Sequence, residues 1–188
     1  MDKKFQKNKR FQKEKPEFDQ QIVDIARVTR VMAGGKRMRF RICLVIGDRK
    51  GRVGIGLAKG KDVPVAVEKA YNKAQKNLIT VNMSGSTIPH EMRVKVGAAK
   101  IMLKPAPDGT GIIAGGACRI VLQLAGVHNV VAKIMGCNNK VNNVKATIVA
   151  LQGLRATEKK EDKQKEDKQN NKQSADNKGD KKEEIKSK

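Results

Sequence analysis

From Arg37 to Ile46 the chain reads RMRFRICLVI, alternating with a period of two. Met38, Phe40, Ile42, Leu44 and Ile46 fall on one face of a strand, and Arg37, Arg39 and Arg41 on the other. Gly47–Gly51 (GDRKG) reads as a turn, and Arg52–Ala58 (RVGIGLA) as the returning strand. Val53, Ile55 and Leu57 then face a core. Gly54, Gly56 and Ala58 leave the opposite side bare, a pattern that suits close approach by another backbone or a ligand. Ile22 to Val31 predicts an earlier strand, completing a three-stranded sheet. Asp62 as N-cap and Pro64 in the first turn start a helix with Val67, Tyr71, Ala74 and Leu78 inward and Lys69, Lys73 and Lys76 on its wetter side. The first unit, 19–82, is therefore β-β-β-α.

After Met83-Ser84-Gly85-Ser86, the pattern predicts a hairpin of Ile88–Val96 and Lys100–Leu103 around Gly97-Ala98-Ala99, ended by Pro105 and Pro107. A helix follows to about Leu124, with Ile120, Val121 and Leu124 inward and Gly126 as C-cap. Asn129 to Met135 is strand-like. Asn142 or Asn143 is expected to cap a last helix carrying Val144, Ile148, Leu151 and Leu154. The fold class is thus α+β, organised as a basic arm (1–18), two units (19–82 and 83–157) and a charged tail (158–188). Each unit is small enough for its core to be marginal, so packing between them or onto a partner should add stability.

Charge sharpens this picture. The 188 residues carry 41 Lys/Arg against 19 Asp/Glu, a net +22. Eleven lysines of the tail nearly cancel against nine acids, and with so few aliphatic residues that segment is expected to be disordered. Residues 19–157 hold 23 basic residues against seven acids. The excess therefore sits in the folded part, which calls for a polyanionic partner. No apolar run approaches the ~18 residues of a membrane span, and no secretory signal is evident. Cys43, Cys118 and Cys137 stand apart without CxxC spacing, which fits buried thiols of a reducing cytoplasm rather than disulfides or a zinc site.

Several motifs tempt an enzymatic reading. Gly109-x-Gly111-x-x-Ala114 matches a dinucleotide fingerprint. The acid required about 20 residues later is absent: position 129 is Asn, and no Asp or Glu occurs from Gly109 to Thr157. Magnesium or acid–base chemistry would have only Glu91, Asp108, His90 and His128 in that half. Gly56–Asp62 lacks P-loop spacing, and Gly51-Arg52-Val53-Gly54 lies in a hairpin rather than between the helices of a KH domain. A nucleotide-dependent enzyme using the Gly109–Gly116 loop is the weaker alternative. No catalytic residue, metal, cofactor or small-molecule substrate is expected.

The basic stretch Arg27–Arg39 is more informative. Arg27, Arg30, Lys36, Arg37 and Arg39 surround Gly34-Gly35, with no acid from Ala26 to Gly47. Phosphate contacts are expected from these residues, from Arg49, Lys50, Arg52, Lys59 and Lys61, and in the second unit from Lys133, Asn138, Asn139, Lys140 and Lys145. Between 19 and 157 the only aromatics are Phe40 and Tyr71, both placed inward. Stacking on single strands is therefore disfavoured against backbone and shape recognition of structured RNA. A free-standing duplex-RNA-binding protein is a further alternative.

GGKRMRFRICLVIGDRKGRVGIGLAKGKDVPVAVEKA, KPAPDGTGIIAGGACRIVLQLAGVHNVVAKIMG and NNVKATIVALQGL, in that order, resemble the bacterial small-subunit ribosomal protein numbered five, over about 19–155. The resemblance implies a double-stranded-RNA-binding-like first domain and a second α/β domain with a left-handed βαβ crossover. It implies a cytoplasmic constituent of the small ribosomal subunit that binds small-subunit rRNA and acts in assembly, decoding accuracy and translocation. It also implies contacts with the fourth and eighth small-subunit proteins and proximity to messenger entry, with no membrane role. The protein interface is expected around Gly97, Lys100, Gly109, Gly111, Gly115, Gly116 and Arg119.

Overall fold

A computed structural model describes residues 17–155. The first strands are β1 (Asp19–Met32), β2 (Gly35–Gly47) and β3 (Arg52–Gly60), followed by helix α1 (Val63–Lys76) and β4 (Leu78–Thr80). They form an antiparallel sheet in the order β1-β2-β3-β4. The sheet is four-stranded rather than three-stranded. Its spacing predicts Leu78 on the helix, but α1 ends at Lys76 with Asn77 as C-cap. Leu78 then pairs with Gly54 in β4. A bulge between Ile22 and Asp24 shifts the β1–β2 register.

The bare face of β3 meets a backbone, and that backbone is α1. The helix buries Ala66, Ala70 and Ala74 rather than a stripe centred on Val67 and Tyr71, which are only half-buried. A Cβ on Gly54 would lie 2.6 Å from the Ala74 carbonyl oxygen, and one on Gly60 2.7 Å from the Ala66 nitrogen. A Cβ on Gly56 would overlap the Ala70 carbonyl. Glycine on the strand and alanine on the helix allow a closer approach than larger side chains could. Ile42, Leu44, Ile46 and Phe18 fill the remainder of this layer.

The other face of the sheet is buried too, over half its length. Cys43, Val45 and Val53 are almost wholly inaccessible, although Cys43 and Val45 lie on the arginine side of β2. Alternation predicts one core face. Here the second half of the chain supplies a second one. It comprises β5 (Met92–Val96), β6 (Ala99–Pro105), β7 (Ile112–Ile113), α2 (Gly116–Ala125), β8 (Val130–Ile134) and α3 (Lys140–Gln152), its sheet ordered β5-β6-β8-β7. Helices α2 and α3 contact each other, this second sheet and the first sheet. Val45 and Val53 therefore share one cluster with Leu103, Val121, Leu122, Val144 and Leu151. Gly47 lies so close to α2 that a Cβ there would overlap the Leu124 carbonyl.

The second half differs from expectation in three places. The cap of α3 is Asn139, whose side chain accepts from the Val141 N–H at 3.1 Å; Asn142 and Asn143 lie inside the helix, and Asn143 is buried. Ile88 lies outside β5 but is buried all the same. The expected turn at DGTGIIAGG contains β7, which pairs in parallel with β8. The glycines of the apparent fingerprint precede this strand instead of joining it to the helix, so the strand–glycine loop–helix order of a dinucleotide site is not met.

Candidate nucleic-acid interface

Beyond Phe40, the last residue of β2 that pairs with β3, the β1–β2 ribbon has no third strand. Gly34 and Gly35 close it with φ of +86° and +148°, values that a side chain would resist. The register decides which cations meet. Arg30 sits opposite Arg37, Val28 opposite Arg39, Ala26 opposite Arg41, and Arg41 opposite Lys59. Residues directly opposite share a face, so Arg30, Arg37, Arg39, Arg41 and Lys59 line one side of the ribbon. A cleft of about 290 Å³ there is lined by Val28, Thr29, Arg30, Met32, Arg37, Arg39 and Lys59.

Ion pairing separates these groups. Arg41 pairs with Asp24 at 3.4 Å, and Lys140 reaches the other Asp24 oxygen at 3.6 Å. Among the described residues, Arg30, Arg37, Arg39 and Lys59 have no carboxylate within 4 Å. Like charges facing across a ladder are destabilising, so this face gains from an added polyanion. The expected residues Arg27 and Lys36 lie on the opposite ribbon face, beside Phe40 and Val31.

The β2–β3 turn is occupied internally. Arg49 pairs with Asp19 at 2.8 Å, and its N–H donates to the Leu124 carbonyl at the end of α2. Arg52 pairs with Asp48 at 2.7 Å and lies 5.2 Å over the Phe18 ring. Asp48 is perturbed in two senses. Burial raises its pKa, but the Arg52 guanidinium and the backbone N–H groups of Lys50 and Arg52 outweigh it, and the net shift is downward. Lys50, Lys61, Lys133, Asn138 and Lys145 are exposed and spread over other surfaces, while Asn139 is engaged as the helix cap.

Two family models match the chain: "Ribosomal protein S5, N-terminal domain" over residues 18–82 and "Ribosomal protein S5, C-terminal domain" over 94–165. Small ribosomal subunit protein uS5 of Campylobacter jejuni strain 81-176 is 50% identical over 139 residues, covering 74% of this chain and 95% of that protein. The chain belongs to the ribosomal protein S5 family. Small ribosomal subunit protein uS5c of Spinacia oleracea is 52% identical over 139 residues, but this chain spans only 45% of its length.

The residues expected at a protein interface fall at the two ends of β8. Lys100 O accepts from the Met135 N–H, and Gly115 approaches Ile134, so Gly97, Lys100, Gly115, Gly116 and Arg119 gather near its C-terminal end. Gly109 and Gly111 lie near the other end, where Gly111 O accepts from the Val130 N–H. Asn129, which sequence reasoning noted only as a missing acid, holds that loop. Its side-chain oxygen accepts from the Gly111 N–H at 3.0 Å, and its Nδ2 donates to Ser86 Oγ and Asp108 Oδ1, each at 3.0 Å. Ser86 Oγ also donates to Asp108. Among the described residues no cluster of His, Cys, Asp or Glu could hold a metal, and no helix is long and apolar enough to cross a membrane.

Proposed function

We propose that this chain, a structural and non-enzymatic constituent of the small ribosomal subunit, holds small-subunit ribosomal RNA against the Arg30, Arg37, Arg39 and Lys59 face of the β1–β2 ribbon. The carrying observation is that Arg30 faces Arg37 with no carboxylate near either. Ribbons reach into nucleic-acid grooves or lie along backbones, and guanidinium groups suit paired phosphate oxygens. Arg27, Lys36, Lys50 and Lys61 provide weaker contacts around it. Lys133, Asn138, Lys140 and Lys145 extend the contact onto the second half.

The finer reading carries the family resemblance further. The β-β-β-α half acts as a double-stranded-RNA-binding-like domain (19–82), and the second (83–157) has a left-handed crossover between β7 and β8. The basic arm and charged tail flank them outside the described residues. Gly97–Lys100 and Gly109–Arg119 face the fourth small-subunit protein. The ribbon lies near messenger entry in the cytoplasmic subunit and influences decoding and translocation indirectly.

Charge reversal at Arg30, Arg37 and Arg39 tests the central claim, because all three side chains are exposed and their loss leaves the cores intact. Each lost phosphate contact should make the slope of log affinity against log salt shallower by about 0.7–0.9. A variant that binds small-subunit rRNA with the parent's affinity and salt slope would refute the assignment.

A further inference from the structure

A second set of cations meets where the two halves of the fold adjoin. Because β4 pairs only with Arg52–Gly54, the outer edge of β3 from Ile55 onward carries no strand. A groove of about 380 Å³ lies along it, lined by Ile55, Leu57, Lys73, Lys76, Asn77 and Lys145. Its floor is aliphatic. Its rim is three ammonium groups, two from the last turn of α1 and one from α3. Lys73 Nζ donates to the Leu57 carbonyl at 3.4 Å, which fixes it over the open edge. Among the described residues none of the three has an ion-pair partner.

A plain explanation covers part of this. Lysines suit a helix C-terminus and blunt an exposed strand edge, which accounts for Lys73 and Lys76. Lys145 has neither reason. It projects from the second turn of α3, away from that helix's C-terminus, and its charge reaches the buried Cys43 thiol, which stands opposite Leu57 in the ladder. Two halves of the chain thus bring like charges to one apolar floor. The groove also continues the ribbon face. Leu57 follows Lys59 on the same side of β3, and Cys43 follows Arg41 on β2, so the path from Arg37 to Cys43 is about 20 Å of strand.

We propose that this groove seats the backbone of a ribosomal RNA strand, with phosphates against Lys73, Lys76 and Lys145 and a sugar or base face on Ile55 and Leu57. This rests on the ribosomal RNA reading above and extends it to the seam between the halves.

The test uses the full chain and purified small-subunit rRNA. Lys73→Gln, Lys76→Gln and Lys145→Gln are combined and compared with the parent and with the ribbon charge-reversal variant in salt titrations. All three sites are exposed, so the thermal melt should match the parent's. The salt slope should become shallower by about 2–3, with K145Q alone contributing roughly a third of that, and affinity at moderate salt should fall about tenfold or more. A triple variant with the parent's slope and affinity overturns the proposal. If the ribbon variant alone is impaired, only the groove assignment fails; if neither is impaired, the RNA reading fails with it. A triple variant that binds RNA normally but associates less with small-subunit proteins would assign the groove to an acidic protein segment and equally overturn it.

Discussion

Gly56→Ala adds one methyl group to a strand, a change that would normally be mild. Here the new Cβ would overlap the Ala70 carbonyl and lie 3.0 Å from the Ala74 nitrogen. Both obstacles are helix backbone, so no side chain can swing aside. Restoring ordinary contact of roughly 3.5 Å would require α1 to retreat by more than an ångström, which loosens Ala66, Ala70 and Ala74 together. Overpacking costs about 1–3 kcal/mol where neighbours can adjust, and this rigid contact belongs at the upper end. The lower chain entropy of unfolded alanine returns about 0.4–1 kcal/mol. A net loss of roughly 2–2.5 kcal/mol is a large share of the ~5–15 kcal/mol that holds a domain together. At about 2–4 °C per kcal/mol the melting temperature should fall by roughly 5–10 °C. Calorimetry measures this directly, with Gly116→Ala as control, since nothing lies within 4 Å of a Cβ there. A Gly56→Ala melt within about 2 °C of the parent would refute the close-packing account.

Two further predictions concern polar groups. Asp48 has a folded-state pKa below its ordinary 3.8, so its contribution is complete above that value and is lost as pH falls through the folded one. Urea melts between pH 5 and about 2.5 should lose stability at the acid end, and Asp48→Asn should flatten that part of the profile; an unchanged profile contradicts the assignment. Asn129→Ala leaves the Gly111 N–H without its partner and takes one of two donors from Asp108, costing about 1–3 kcal/mol. Hydrogen exchange at the Gly111 amide should accelerate severalfold, and equal protection in the two proteins would show that the loop is held by something else.

The ribbon and its flanking strands were legible because RMRFRI writes its two faces in strict alternation, and the register then needed only the Gly34-Gly35 turn. The glycines of β3 announced a close backbone neighbour, but nothing local identified it as the alanine stripe of α1. Burial of Val45 was illegible for the same reason: it depends on α2 and α3, which begin about 70 and 95 residues further along. The cap of α3 is not legible because four asparagines near its start, Asn138, Asn139, Asn142 and Asn143, all satisfy the same preference, and only packing of Val141 and Val144 chooses among them. Within the candidate site, charge alone treated Arg30 and Arg49 alike. Asp19 and Leu124 distinguish them, and neither is near Arg49 in sequence. Lys73 and Lys76 looked like solvated helix residues until Lys145 was placed beside them.

The sharing of Val45 and Val53 with α2 and α3 sets a clock for synthesis. By the time the first sheet has left the ribosome that makes it, its second apolar face still awaits partners ending near Leu154. That is roughly 75 residues beyond the end of β4, or about 4–15 s at ordinary elongation rates. During that interval the nascent sheet displays valines and unpaired cations side by side, to chaperones and to RNA alike. The order in which those partners are met belongs to the kinetics of translation as much as to the stability of the finished fold.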